Sequence, residues 1–159
     1  MKLNPIALLP ALLAASCGGH DSTVIPESLA IGQHITFNVT GLSDSTRLVV
    51  RDQSTWDAVW NRLQGTATPE RAAPIVDFKA AMVVVAAQGM RPTSGYTIRV
   101  DKVDADGNGA VATVVETSPS GAPCGQTSGL TTPADLVAVA QTNGPVRFLE
   151  RAETSSCAP

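Results

Sequence analysis

The chain is poor in the residues that most enzymes use, and each scarcity excludes a class of chemistry. There are two histidines, His20 and His34, and three cysteines. They show no H-E-x-x-H pattern and no Cys–His ligand spacing, so the common zinc signatures do not fit. A Ser-His-Asp triad would have to use His34, which has no local nucleophile signature near it. No glycine-rich loop opens a helical pattern, so no phosphate cradle is indicated. Asp101 and Asp104 can be named as neighbouring carboxylates, but nothing in the sequence marks them as a catalytic pair. The chain therefore reads as non-catalytic, with no cofactor and no metal. Basic clusters are lacking as well: 11 Lys and Arg stand against 14 Asp and Glu, for a net charge of −3. That balance argues against nucleic-acid binding and against electrostatic adhesion to anionic lipid. No apolar run approaches the roughly 20 residues that span a bilayer. Ala80–Ala87 is too short and reads as a buried strand.

What is present begins at the N-terminus. Lys2 precedes an apolar run, which passes into Leu12-Leu13-Ala14-Ala15-Ser16-Cys17. This is the layout of a secretory signal, with a short n-region, an h-region and small residues at the cleavage site. The cysteine directly after the small residues makes the segment resemble a bacterial lipobox. The resemblance implies cleavage after residue 16 and lipidation of Cys17, a palmitate-type membrane anchor. The other reading is an ordinary cleaved signal with a chance cysteine. Gly18 follows Cys17, and no Asp stands there to suggest inner-membrane retention. By that sorting pattern the expected location is the cell envelope, at the outer membrane where the host has one. Residues 1–16 are thus the expected signal peptide, 17–31 the lipidated cysteine and polar tether, and 32–157 one domain.

With Cys17 lipidated, Cys124 and Cys157 remain as an even pair. In an oxidising compartment such a pair usually forms a disulfide. Closing a loop of about 33 residues would contribute roughly 3–4 kcal/mol in the chain-entropy model. Two free thiols too far apart to bond is the alternative.

Periodicity supplies the elements. His34–Val39 alternates as a half-buried strand does, and Arg47–Arg51 reads as a second strand. The one clear helix is Thr55–Gln64. Trp56, Val59, Trp60 and Leu63 form one apolar stripe, Ser54 is the expected N-cap with Asp57 as capping-box partner, and Gly65 stops it. The two tryptophans suit a helix–sheet seam better than a ligand platform. After the Thr66–Pro74 loop come only strand signals. Ala80–Ala87 is apolar on both faces and should be central. Tyr96–Ala105 slips phase at Lys102-Val103, which suggests a bulge. Asp106-Gly107-Asn108-Gly109 joins it to Gly109–Thr117 as a hairpin turn. Ser118–Thr132 reads as a long loop. Leu136–Ala140 and Val146–Arg151 read as a final hairpin around Thr142–Pro145. The order β-β-α-β-β-β-β-β, without βαβ alternation, predicts a mainly β (α+β) fold: an antiparallel, sandwich-like sheet with one packed amphipathic helix.

Two local motifs invite chemistry. Asp104–Gly109 matches the opening D-x-D-x-N-G of an EF-hand loop. Its twelfth position, however, is Val115, with Glu116 one residue too far, and no helical pattern flanks it. A hairpin turn explains the same residues without metal. The second motif is the Met90–Tyr96 connection, containing Arg91, Pro92, Thr93, Ser94, Gly95 and Tyr96. Pro92 fixes one φ and Gly95 permits an unusual one, so a stiff tip is expected. Arg91 and Tyr96 are residue types enriched at binding hot spots. The plainer alternative is a tight connection whose Tyr96 plugs the core.

The order of features resembles the PrcB C-terminal-domain family. The carriers are Ser54-Thr55-Trp56…Trp60, Pro74–Phe78, Met82–Val85 and Arg91–Ile98, with Thr131–Val137 as the segment before the closing strands. The resemblance spans about residues 45–150. Its namesake is a lipoprotein subunit of a surface complex containing a subtilisin-like protease, and the family offers no catalytic residues to carry over. The resemblance thus implies a non-catalytic accessory or protein-interaction subunit, with an extracytoplasmic protease as a candidate partner. Arg91–Tyr96 also resembles the Pro-Thr-Thr-Gly-Tyr loop of chagasin-type cysteine-protease inhibitors, which implies a second reading: inhibition by insertion of the Met90–Tyr96 loop.

Overall fold

The computed structural model describes residues 28–65, 70–120 and 126–155. Among these described residues, nine strands and one helix follow in the order β1 (His34–Phe37), β2 (Thr46–Val50), α1 (Gln53–Gln64), β3 (Ala81–Ala87), β4 (Arg91–Thr93), β5 (Thr97–Asp106), β6 (Gly109–Pro119), β7 (Ser128–Thr131), β8 (Ala134–Ala140) and β9 (Val146–Ser155). They form a four-stranded sheet β1-β8-β3-β2, a three-stranded sheet β5-β6-β9 and a two-stranded arm β4-β7.

The layers follow from the apolar pattern. Every residue of β3 is buried, because the four-stranded sheet is covered on both sides. Val83, Val85, Leu136 and Ala138 face one way, into a core with Trp56, Val59, Trp60 and Leu63 of α1. Val84, Ala86 and Val137 face the other way, against Ile98, Val100, Ala112 and Val114 of the three-stranded sheet. The result is helix on sheet on sheet, the sandwich-like mainly β arrangement expected from the sequence. Packing is already in place at Ser28, which bridges Ile75, and Leu29 is buried.

The tryptophan stripe is core. Trp56 and Trp60 lie 5.4 Å apart between ring centroids, and their indole N–H groups donate to the carbonyls of Pro74 and Arg71, both at 2.9 Å. Each aromatic body is thus buried with its polar edge satisfied. The helix starts earlier than its apolar stripe suggested. Asp52, not Ser54, is the N-cap: it is extended, its Oδ1 accepts from the Thr55 amide at 2.8 Å, and its Oδ2 takes the Thr55 hydroxyl. Asp57 bonds Gln53 instead of closing a box with Ser54. Gly65 ends the helix as expected, with φ +58°.

The β5–β6 hairpin turns at Asp106–Gly109, with Gly107 at φ +61°. Its irregularity falls between Val100 and Lys102, one step before the expected position. The final hairpin is not formed. β8 pairs with β1 and β3, whereas β9 crosses to the other sheet and runs parallel to β6 from Ala110↔Val146 to Pro119↔Ser155. The crossover is held by Arg51, which donates to the carbonyls of Thr142 and Gly144. Gly144 lies against Asn108, its amide donating to that carbonyl at 2.7 Å, where a Cβ would come within 3 Å of the backbone. The physical reason is burial. Ala134–Ala138 is apolar on nearly every position and belongs inside a sheet, whereas β9 is polar and suits an edge. The expected long loop 118–132 also carries structure: β6 extends through Pro119, and Ser128–Thr131 is β7.

Candidate functional site

The Met90–Tyr96 connection is an arm anchored at both ends. Gly89 turns the chain at φ +76°, with the Ser43–Ser45 backbone so close that a Cβ would lie 2.8 Å from the Ser45 nitrogen. The Met90 amide then donates to the Ser43 carbonyl at 2.9 Å. β4 pairs antiparallel with β7, Arg91 opposite Thr131 and Thr93 opposite Ser128. Thr131 donates its hydroxyl to the Thr93 carbonyl. Beyond the strand, the Ser94 amide donates to the Thr127 carbonyl and the Thr127 amide donates back to Ser94 Oγ. Gly95 sits at φ +92°, a conformation open to glycine at little cost. The stiffness expected of this segment is therefore supplied by pairing as well as by Pro92 and Gly95.

Arg91 is folded back onto the domain. Its guanidinium lies 5.8 Å from the centroid of the Tyr96 ring and 3.9 Å from Glu116 Oε2. Tyr96 is half-buried. Glu116 also takes Arg47 Nη2 at 2.5 Å. Arg47 grips Glu150 through Nε and Nη2, both at 2.8 Å, and donates to the Thr46 and Ala87 carbonyls. Burial works against the Arg47 charge, but the Glu150 and Glu116 carboxylates outweigh it and hold the guanidinium above its ordinary pKa. These groups join β2, β6 and β9 at one open edge of the sandwich, around a cleft of ≈ 420 Å³ lined by Ser45, Arg47, Glu116, Glu150, Arg151 and Ala152.

Beside the arm lie three large exposed apolar side chains: Val39 at 65 %, Met90 at 51 % and Leu130 at 66 %. Their segments are tied together. The Thr132 amide donates to the Asn38 carbonyl. The Thr40 amide donates to Thr132 Oγ1, and each threonine hydroxyl bonds the other's backbone carbonyl. Sequence reading singled out Met90 and Arg91 but not Val39 or Leu130, which stood in an alternating strand and in a presumed loop.

Asp135 was not singled out by the sequence reading, which began the strand at Leu136. It is fully buried. Its Oδ2 accepts from the Val100 amide at 2.8 Å and meets His34 Nδ1 at 3.0 Å, while Oδ1 has no partner among the described residues. Burial raises the Asp135 pKa, against the lowering effects of the Val100 N–H, His34 and Arg99. The one candidate triad histidine thus has an acid, from a strand a hundred residues away. The pair links β1 and β8 to β5 across the two sheets. Asp104 pairs with Lys102 at 2.7 Å and Asp106 with Arg147 at 2.6 Å, and Asp101 pairs with Arg99, so the EF-hand-like residues act as hairpin ion pairs. Among the described residues no group of three or more His, Cys, Asp and Glu is placed to hold a metal. Cys17, Cys124 and Cys157 lie outside the described residues.

No curated protein and no solved structure matches this chain. A family model does. The match omits α1 and its tryptophans, β1, β2 and β9, and so is shorter than the 45–150 span of the sequence resemblance. Residues 82–140, from the central strand β3 through the arm and the β5–β6 hairpin to β8, match the PrcB C-terminal family.

Proposed function

We propose that this protein is a non-catalytic accessory subunit of a cell-envelope protein complex, held at the membrane by lipid on Cys17 and docking through the face of the β4–β7 arm. The observation that carries the reading is the set of exposed apolar residues Val39, Met90 and Leu130 on a hydrogen-bonded, rigid frame. Large apolar side chains grouped on such a frame mark interaction surfaces, and a preorganised surface avoids part of the ordering cost of binding. Arg91 and Tyr96 beside them are hot-spot residue types. The family match adds support for a protease complex as the assembly, since the family's namesake is such a subunit.

Affinity recovery of the tagged full chain from its own membranes, with mass spectrometry, tests this directly. The expected result is a protease or other envelope protein in fixed ratio. Leu130→Glu and Met90→Glu should each lower that recovery roughly tenfold or more, the scale of a lost hot spot. Repeated recovery of the free chain alone would contradict the proposal. The inhibitor reading fares less well, because Arg91 lies against Tyr96 and Glu116 instead of projecting from the tip. It predicts that Arg91→Ala raises an inhibition constant against a target protease, whereas the accessory reading predicts protease recovery with activity intact. For the anchor, Cys17→Ser should abolish lipid labelling, and continued labelling would refute it.

A further inference from the structure

We infer that two copies of this chain pair edge to edge through β9, joining their three-stranded sheets into one continuous sheet. This rests on a different edge of the molecule from the arm and does not depend on the accessory role.

β9 is ten residues long and paired with β6 along its whole length. Its other side is open among the described residues, because β9 ends the order β5-β6-β9. The backbone direction can be read at both ends. The Pro145 carbonyl accepts from Ala110 and the Ser155 carbonyl accepts from Ser120, both on the β6 side. Backbone polar groups alternate along a strand, so odd-numbered residues bond β6. Val146, Phe148, Glu150, Ala152 and Thr154 therefore aim their N–H and C=O groups outward.

Natural edge strands of this length usually carry a blocking device, such as a proline, a bulge or an inward-pointing charge. β9 has no proline. Its inward charge is Glu150, and the Arg47 guanidinium neutralises it through two 2.8 Å hydrogen bonds. The block is thereby disarmed. Leu149, on the outward face, is 54 % exposed.

The sequence of β9 is complementary to itself. In an antiparallel pair centred on Glu150, Arg147 lies opposite Glu153 of the second copy, and Glu153 opposite its Arg147. Leu149 meets the stem of Arg151, and Phe148 meets Ala152. Opposite charges directly across a strand pair stabilise it and like charges oppose it. Shifting the centre to Leu149 would set Arg147 against Arg151, which charge disfavours. The central glutamates approach one another, each with its own Arg47. A two-fold axis through the pair closes the assembly at a dimer.

Sedimentation velocity of the full chain in detergent, over a roughly hundredfold concentration range, tests the inference. The expected result is a concentration-dependent monomer–dimer equilibrium. Ala152→Pro removes an outward N–H without touching the β6 ladder, and Glu153→Arg sets like charges opposite Arg147. Each should weaken dimerisation roughly tenfold or more, with circular dichroism and Tm near those of the wild type. If the proline variant fails to fold, the charge reversal alone decides. A wild-type chain that stays monomeric, or a dimer indifferent to Glu153→Arg, would overturn the inference. So would a monomer that instead captures an added extended peptide along β9.

Discussion

At the scale of single residues, Asp135 sets a carboxyl against the apolar core. It is a buried carboxylate with one satisfied oxygen, and burying a polar group with incomplete partners opposes folding. Asp135→Ala would nevertheless destabilise, because it orphans the Val100 amide and the His34 ring nitrogen. About 1–3 kcal/mol is expected, read as a fall in the urea midpoint. Its pH dependence has a definite sign. Burial holds the carboxyl above the usual carboxylate range, so the folded protein binds this proton more tightly than the unfolded chain does. The contribution of Asp135 is most favourable below its unfolded pKa of about 3.9 and fades as pH rises through the folded value. Urea titrations of wild type and Asp135→Asn should therefore show the wild type losing ground to the variant as pH rises from 3 to 7. The opposite trend would show that His34 and Val100 outweigh burial. Neither partner was legible in the sequence, since they lie 101 and 35 residues from Asp135. The signal that could have marked Asp135 is an acid set against an apolar run. Gly89 makes a second residue-scale case. Gly89→Ala combines a positive φ with a backbone collision, so it should lower Tm and loosen the arm together, seen as faster amide exchange at Met90 and Arg91.

At the scale of elements, what was legible is what depends on local pattern. The tryptophan stripe, the all-buried β3 and the turn at Gly107 each follow from periodicity or turn chemistry within a dozen residues. The helix start was misplaced because Asp52 caps from just outside the apolar stripe. Asp52→Ala should lower the thermal midpoint by removing the cap, whereas Ser54→Ala should change little. The hydrogen bonds from Thr55 hold the Asp52 carboxyl below its ordinary range. Its cap is therefore present above the unfolded pKa and lost as pH falls through the lowered folded value. β9 shows the limit of local reading. Asn143-Gly144 is hairpin chemistry, yet the strand beyond it joins the other sheet. A strand's destination depends on which edge stands open, here β6, and a short segment does not encode that. β4 and β7 were missed for a related reason. Each is three or four residues long, and each exists through the other and through contacts with Thr40 and Ser43.

At the scale of the molecule, the layers divide the work. The helix and the inner sheet bury the aromatic core. The outer sheet is joined to the inner one by valines, by Asp135, and by the Arg47–Glu116–Glu150 cluster at the open edge. The arm carries the exposed apolar residues Met90 and Leu130. The family match covers β3, the arm, the β5–β6 hairpin and β8. The docking role proposed for the arm requires that this face meet a partner. The most direct test is a photo-crosslinking amino acid placed at Leu130 of the tagged, full-length protein in its native membranes, with a matched control at Ile75, which is also exposed. One dominant crosslinked polypeptide is expected from position 130, absent from position 75 and identified as an envelope complex subunit. No crosslink from position 130, or the same products from both positions, would contradict it.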